Sequence, residues 1–177
     1  GVHAIMRHAT APGFGEPENF TIGQCNTQRN LNETGRQEAR ALGQAIRSQG
    51  IALSAIYSSQ WCRCLDTARL MALSAPQPLP PLNSFFAGRG DVDKQTQALV
   101  QQFAGTSLPQ PAVLVTHQVN FTALTGIFPR SGEAAIIALP LSQPATVLTR
   151  WVPALLSGLA KVACVTPASA WAGATTP

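Results

Sequence analysis

Short apolar runs alternate with amphipathic segments along this chain of 177 residues. Runs of about 4–8 apolar residues are typical of buried strands, whereas apolar positions three and four residues apart predict helices. Their alternation predicts an α/β fold of three layers, with helices on both faces of a mostly parallel central sheet. The predicted strands are Val2 to Met6, Ala52 to Tyr57, Ala112 to Thr116, Ala134 to Leu139 and Ala145 to Trp151, and the predicted helices are Thr34 to Gly50, Gln60 to Leu73, Lys94 to Phe103 and Val119 to Thr125.

A change of composition after Trp151 divides the chain into two parts. Residues 1–151 predict one domain, which matches the size expected for a single core. Residues 152–177 are rich in Ala, Thr, Ser and Pro. They predict a C-terminal extension that is either helical or disordered. Within the domain, the polar stretch from Ala9 to about Asn32 is long for a connection, and such connections are usually functional.

Composition and charge exclude some classes of partner. Apolar residues make up 45% of the chain and charged residues 11%, as in compact globular proteins. The net charge of +4 suits an anionic substrate, but no cluster of Lys and Arg marks a nucleic-acid surface. No apolar run reaches the ~20 residues of a membrane span. Neither a nucleic-acid partner nor a transmembrane segment is therefore expected, and the oligomeric state is left open.

The four cysteines leave the compartment open. A disulfide from Cys25 to Cys62 or to Cys64 would fit an exported protein, whereas free thiols would fit a cytosolic one. The possible pairing favours an exported or periplasmic location. The chain begins one residue before its first strand, which suggests a processed N-terminus. No group of His and Cys has the spacing of a zinc site, so no metal is expected.

Two histidines and two arginines follow predicted strands. Arg7 and His8 come directly after the first strand, His117 follows the strand that ends at Thr116, and Arg63 lies a few residues beyond the second strand. In an open α/β sheet the loops at the carboxyl ends of the strands form the ligand crevice. These four side chains should therefore meet, and two imidazoles with two guanidiniums suit a doubly charged phosphate.

This combination predicts phosphoryl transfer. A neutral imidazole can attack phosphorus, so His8 is the expected nucleophile, forming a phosphohistidine that water then hydrolyses. Arg7 and Arg63 are expected to hold the phosphoryl oxygens with paired hydrogen bonds. His117, either protonated or donating a hydrogen bond, would stabilise the transferring group. Ser59, or the amides at the start of the helix that follows it, would add to anion binding.

At these residues the chain resembles the histidine phosphatase (phosphoglycerate mutase-like) superfamily, in its small phosphatase branch. Met6-Arg7-His8-Ala9 resembles its Arg-His-Gly or Arg-His-Ala motif, and Val115-Thr116-His117 is similar to the strand with its second histidine. Two further stretches, from Leu31 to Ala39 and from Tyr57 to Ala68, resemble its Leu-Thr-x-x-Gly-x-x-Gln-Ala and Ser-Ser-x-x-x-Arg-x-x-x-Thr-Ala segments.

The resemblance covers residues 2 to about 151. It implies the superfamily's fold and the roles given above to the two histidines and two arginines. It also implies a metal-independent phosphatase that needs no organic cofactor. The substrate would be a small phosphorylated molecule or a protein that carries phosphohistidine.

One departure concerns the proton donor to the leaving group. Many members carry a glutamate just after the third strand, but here that position is Ser84. Glu133 or Asp91 would have to supply the proton instead. Glu133 would lie at the edge of the site if the strand after it runs antiparallel to the others; otherwise it is an exposed carboxylate in a turn.

Two more positions bear on the substrate. Phe14 stands where an asparagine is usual, some six residues after the nucleophile. Arg29 resembles an arginine of the phosphohistidine phosphatases, and it would either contact the substrate or form a surface or salt-bridge interaction. The main hypothesis is thus a hydrolase of phosphomonoesters or phosphohistidine. The alternative is a catalytically weak or inactive module of the same fold that binds phosphate for signalling.

Overall fold

A computed structural model describes residues 1–105 and 109–153 of the chain. Within these residues it contains six strands and four α-helices, with three short 3-10 turns at Cys25–Thr27, Pro80–Leu82 and Phe86–Gly88. The strands are β1 (Val2–Arg7), β2 (Ala55–Ser58), β3 (Pro76–Pro78), β4 (Ala112–Thr116), β5 (Ala134–Ala138) and β6 (Val147–Trp151). The helices are α1 (Glu33–Ser48), α2 (Cys62–Met71), α3 (Val92–Phe103) and α4 (Gln118–Thr125).

The strands form one sheet in the order β3-β2-β4-β1-β5-β6. The first four of these run parallel, β5 is antiparallel to β1, and β6 is antiparallel to β5. The prediction of a mostly parallel sheet is therefore confirmed. Because Met6 pairs with Ala134, the start of β5 lies beside the end of β1. The ends of β1, β2 and β4 and the beginning of β5 consequently share one edge of the sheet.

Alternate residues of the central strands pack on opposite faces of the sheet, as a pleated strand requires. On one face Ile5 and Leu114 pack with side chains of α3 and α4, including Phe103 and Phe121. On the other face lies a second cluster, which packs against α1 and α2 and contains Met6, Val113, Val115, Ala68 and Met71. Helices thus cover both faces, and the three-layer prediction is confirmed.

Several elements begin at other residues than predicted: β2 begins at Ala55 instead of Ala52, β6 at Val147 instead of Ala145, and α3 at Val92 instead of Lys94. Pro76–Pro78 forms strand β3, although the Pro-rich segment was not expected to be a strand. Proline is tolerated there because β3 is at the edge of the sheet, with only β2 as a neighbour. Helix α2 begins at Cys62 instead of Gln60, with Trp61 at its N-cap.

The long connection between β1 and α1 is held against both helices of its layer. Its first residues bind α1, where Glu38 accepts hydrogen bonds from the amide and the hydroxyl of Thr10. The approach is so close that a Cβ on Gly35 would lie 2.1 Å from the Thr10 carbonyl oxygen. Further along, a disulfide joins Cys25 to Cys62 at the start of α2. These contacts return the connection to the edge of the sheet where β1 ends.

The division into a domain of residues 1–151 and a C-terminal extension stays a prediction. Strand β6 ends at Trp151, and most of the predicted C-terminal extension lies outside the described residues. No helix in the ranges 1–105 and 109–153 is long and apolar enough to cross a membrane.

Candidate active site

A cavity of about 240 Å³ opens at the edge where the parallel strands end. The polar side chains in its wall come from the end of β1, the β1–α1 connection, α2, the connection between β3 and α3, and the residues that follow β4. Among the described residues of this wall, four arginines accompany a single carboxylate. This excess of positive charge favours an anionic ligand. The charged and imidazole side chains are Arg7, His8, Glu16, Arg29, Arg63, Arg89 and His117.

His8 is held as a neutral imidazole with one ring nitrogen free of a proton. Its Nδ1 lies 2.8 Å from the Ala9 carbonyl oxygen, which can only accept, so Nδ1 carries the proton. Its Nε2 accepts a hydrogen bond of 3.0 Å from Arg63 Nε. Complete burial, followed by the charge of Arg63, lowers the pKa of His8 well below its usual value. A neutral ring with a lone pair on Nε2 is the form that can act as a nucleophile.

Arg63 connects the groups of the site. It lies in the first turn of α2, and only 3% of the residue is exposed. Its Nε and Nη2 face the two imidazoles, at 3.0 Å from His8 Nε2 and 3.3 Å from His117 Nδ1. Its Nη1 binds the Glu16 carboxylate and lies 3.3 Å from the Arg29 carbonyl oxygen. The guanidinium thus lies between both histidines and the only carboxylate in the described wall of the cavity.

His117 is also buried, and hydrogen bonds to both of its ring nitrogens fix the orientation of the ring. Since Nδ1 accepts from Arg63, the proton is on Nε2, which donates to Ser59 Oγ at 2.9 Å. Burial and then the charge of Arg63 lower the pKa of His117 well below its usual value. In the free site the ring is therefore neutral, and the nitrogen that donates is bound to Ser59. The rings of His8 and His117 are 5.5 Å apart between centroids.

Ser59 supports His117 instead of facing the cavity. It is fully buried, and its hydroxyl donates to Asn83 Oδ1 at 3.1 Å. The amides at the start of α2 are also occupied, because they donate to side chains. These are the pairs Gln60 to Asn83, Trp61 to Ser59 and Cys62 to Gln28. The expected contribution of Ser59 and the helix amides to anion binding therefore has no support in the geometry.

Arg7 has a buried donor without a partner. Its Nη1 donates to the Pro129 carbonyl at 3.0 Å, whereas no described group accepts from its Nε. Burial, with a smaller effect from Arg63, lowers the pKa of Arg7. A buried donor without an acceptor is costly. An anion in the cavity would relieve this cost.

Arg29 lines the cavity and at the same time holds the β1–α1 connection. Its Nε donates to the Gly15 carbonyl at 3.0 Å, and its Nη1 donates to the Ala11 carbonyl. Burial, then the charge of Arg63, lowers the pKa of Arg29. The two possibilities expected from the sequence were a substrate contact and a structural interaction. The position of Arg29 is compatible with both.

Neither predicted proton donor reaches the cavity. Strand β5 is antiparallel, as the prediction for Glu133 required, but the Glu133 carboxylate accepts a hydrogen bond of 2.8 Å from Arg150 Nε. A second bond of 2.9 Å comes from the Arg130 amide. Glu133 therefore neutralises Arg150 of β6. Neither Glu133 nor Asp91 lines the cavity. Asp91 is exposed and caps α3, accepting from the Lys94 amide.

Glu16 and the aromatic mouth of the cavity were missed in the sequence. Glu16 lies in the polar β1–α1 connection, where no motif distinguishes it from its neighbours. Phe14 is 88% exposed and meets Phe86 edge to face at the cavity, with 5.3 Å between ring centroids. An exposed phenylalanine in a Gly-rich stretch was the one signal present, and it could not have located a partner 72 positions along the chain.

The disulfide decides between the pairings left open. Cys25 is bonded to Cys62, and Cys64 is a buried free thiol. Burial raises the pKa of Cys64 to about 12, so it is protonated and unreactive. Within the described residues, no group of His, Cys, Asp or Glu could hold a metal ion.

The sequence of residues 4–88 matches the family model described as the histidine phosphatase superfamily, branch 1. Over these residues, which make up a little under half of the chain, the sequence is similar to this superfamily. The similarity supports phosphatase activity, and the motifs recognised in the sequence are consistent with it. No curated protein matches the chain.

Solved structures share the fold. The protein histidine phosphatase SixA, in complex with tungstate, has a TM-score of 0.60 at 17% identity, over 86% of this chain and 97% of that one. The Rv3214 protein of Mycobacterium tuberculosis has a TM-score of 0.61 at 15% identity, over 85% and 97%. Phosphoserine phosphatase of Entamoeba histolytica, with 3-phosphoglyceric acid, has a TM-score of 0.57 at 14% identity, over 84% and 95%. At these identities the likeness establishes the fold alone.

Proposed function

We propose that this protein is a histidine phosphatase that hydrolyses phosphomonoesters through a phosphohistidine formed on His8. The observation that carries the proposal is the state of His8. Its Nδ1 proton is held by the Ala9 carbonyl, its Nε2 lone pair is free of a proton, and the ring lies among arginines in a cavity. An imidazole fixed in this tautomer can attack phosphorus without first losing a proton.

In the first step, Nε2 of His8 attacks phosphorus while the phosphoryl oxygens bind the arginines. Arg63 already points Nε and Nη2 at this space, and the unpartnered Nε of Arg7 gains an acceptor. The positive charge that develops on the ring of His8 is stabilised by the Ala9 carbonyl, which keeps its hydrogen bond to Nδ1. Donors placed in advance around the phosphoryl group stabilise charge in the transition state.

His117 has the role of an adjustable donor. In the free site its Nδ1 accepts from Arg63. A phosphate dianion in the cavity favours the protonated imidazole, because an opposite charge nearby stabilises the charged form. His117 Nδ1 then donates to a phosphoryl oxygen while Nε2 keeps its bond to Ser59.

The shape of the cavity supports a substrate with a small phosphate end and an apolar or planar group beyond it. The floor holds imidazoles and guanidiniums, whereas Phe14 and Phe86 flank the mouth. The disulfide between Cys25 and Cys62 supports an exported location for the reaction, because disulfides persist in oxidising compartments.

The proposal is tested with 4-nitrophenyl phosphate and radiolabelled substrate. We expect the native protein to release nitrophenol, and His8→Ala to lose at least about 10³-fold in kcat/KM while keeping its fold by circular dichroism. Rapid quenching should trap label on His8. If the native protein binds inorganic phosphate but does not hydrolyse 4-nitrophenyl phosphate, it is the inactive phosphate-binding module. If His8→Ala is as active as the native protein, the phosphohistidine mechanism is wrong.

A further inference from the structure

The proposed reaction lacks a proton donor at the position where many relatives place one. When the P–O bond breaks, the leaving oxygen takes the electron pair, and an alkoxide leaves poorly unless it is protonated. Ser84 lines the cavity at the expected position of the acid and cannot supply it. Glu133 and Asp91 lie outside the cavity wall. Among the described residues, the remaining carboxylate in that wall is Glu16.

Glu16 is buried beside the reacting groups. Its side chain is 3% exposed and pairs with Arg63, whose side chain is 4% exposed. One carboxylate oxygen binds Arg63 Nη1, and the other accepts a hydrogen bond of 3.0 Å from the Arg29 amide. The same guanidinium donates to His8 Nε2. The nucleophile and the carboxylate are therefore held by one arginine, on different nitrogens.

The backbone around Glu16 keeps the carboxylate in this place. The Arg29 guanidinium binds the carbonyl of Gly15, directly before it, and the disulfide fixes the end of the connection to α2. A phosphate dianion bound in the cavity shares Arg63 with Glu16, so the carboxylate lies beside the transferring group.

From this geometry we infer that Glu16 is the general acid that protonates the leaving oxygen and the general base that activates water. This inference rests on the phosphohistidine mechanism proposed above. It names a catalytic residue in the β1–α1 connection instead of the position after β3.

The two steps balance in atoms and charge. In the first, the bond from His8 Nε2 to phosphorus forms, the P–O bond breaks, and the Glu16 proton passes to the leaving oxygen, which departs as an alcohol. In the second, Glu16 takes a proton from water while the water oxygen bonds to phosphorus. The P–N bond breaks, its electron pair returns to Nε2, and phosphate leaves. Glu16 ends the cycle protonated, as it was in the substrate complex.

A purely positioning role is the competing explanation, because Glu16 also touches Arg63 and Arg29. The two roles differ in how the effect of a substitution depends on the leaving group. An acid matters most when the leaving oxygen is basic, whereas misplaced arginines weaken phosphoryl binding for every substrate. Aryl phosphates of graded acidity separate these effects while keeping one aromatic ring at the mouth of the cavity.

The experiment measures kcat/KM for 2,4-dinitrophenyl, 4-nitrophenyl and phenyl phosphate in the native protein and in Glu16→Gln. This parameter covers only the steps up to release of the phenol, so the later hydrolysis does not enter. We expect Glu16→Gln to lose about 10²-fold or more with phenyl phosphate and less than about threefold with the dinitrophenyl ester. Glu18→Gln, an exposed carboxylate two positions along the same connection, should behave as the native protein.

Two results would overturn the assignment. An equal loss with all three esters would make Glu16 a positioning residue, and no loss with any of them would remove it from the reaction. His8→Ala in the same assay separates this inference from the one on which it rests. If that variant keeps hydrolysing the esters, the phosphohistidine mechanism fails whatever Glu16 does. If it is inactive while Glu16→Gln shows a uniform loss, only the present inference fails.

Discussion

Burying two neutral histidines should make the stability of this protein depend on pH in a calculable way. His8 and His117 are 2% and 3% exposed, and burial keeps the pKa of each well below its usual value. In the unfolded chain both return to a pKa of about 6.5. As the pH falls below that value, the unfolded state binds protons that the native state does not. The free energy of unfolding must therefore decrease as the medium becomes more acidic.

The magnitude follows from the linkage relation. Between about pH 7.5 and 5.5, protonation of one histidine with an unfolded pKa of about 6.5 favours the unfolded state by about 1.4 kcal/mol. The two buried rings together contribute about 2.7 kcal/mol over this interval. The contribution is fully present above the unfolded pKa and is lost as the pH falls from there towards the folded pKa.

The assay is urea unfolding at both pH values with the disulfide intact. His8→Asn and His117→Asn should each reduce the pH-dependent loss by about 1.4 kcal/mol, and the double variant by about 2.7 kcal/mol. Carboxylates and His3 titrate in all four proteins, so their effects cancel in the comparison. If the free energy of unfolding of a single variant depends on pH as that of the native protein does, the substituted histidine binds its proton in the folded state as readily as in the unfolded chain. The tautomers that the proposed mechanism uses would then be wrong.

Three further predictions concern packing and the cysteines. Gly43→Ala places a Cβ 1.9 Å from the Met71 carbonyl oxygen, so it should cost about 3 kcal/mol in urea unfolding, whereas Gly105→Ala, with open space around it, should be neutral. Replacing Cys25 and Cys62 by Ser removes a link across 37 residues and should lower stability by about 4 kcal/mol; an unchanged unfolding midpoint would contradict this. Iodoacetamide at pH 8 should modify the Cys64 peptide only after unfolding, and modification in the native protein would show that the thiol is accessible.

Much of the fold could be predicted because its signals are local. The alternation of buried positions in β1 and β4 and the helical spacing in α1 depend on neighbours within a few residues. Strand β3 could not be predicted in this way, since three residues rich in proline become a strand only at a free edge beside β2. Helix α2 begins two residues later than the sequence predicts, because distant side chains, such as that of Gln28, bind the amides at its start.

The same distinction holds for the site. Arg7 ends β1, His8 directly follows it and His117 directly follows β4, so the parallel pairing of these strands was enough to predict that they meet. No local signal showed which carboxylate would line the cavity. Glu133 directly precedes a strand at the correct edge of the sheet but is neutralised by Arg150 from β6. Glu16 lies in the wall of the cavity because the β1–α1 connection folds back over α2.

The sequence alone was enough to predict the order of the four helices and of every strand except β3, the resemblance to a known superfamily, and the imidazoles and guanidiniums near the strand ends. The tertiary structure alone decided which cysteines pair, which carboxylate lines the cavity, and that both histidines are neutral. The physical reason is the distance along the chain between the residues that interact. Periodicity and strand-end motifs are set by residues close together in the chain, whereas ion pairing and desolvation depend on groups such as Glu16 and Arg63, 47 positions apart, that only the folded chain brings into contact.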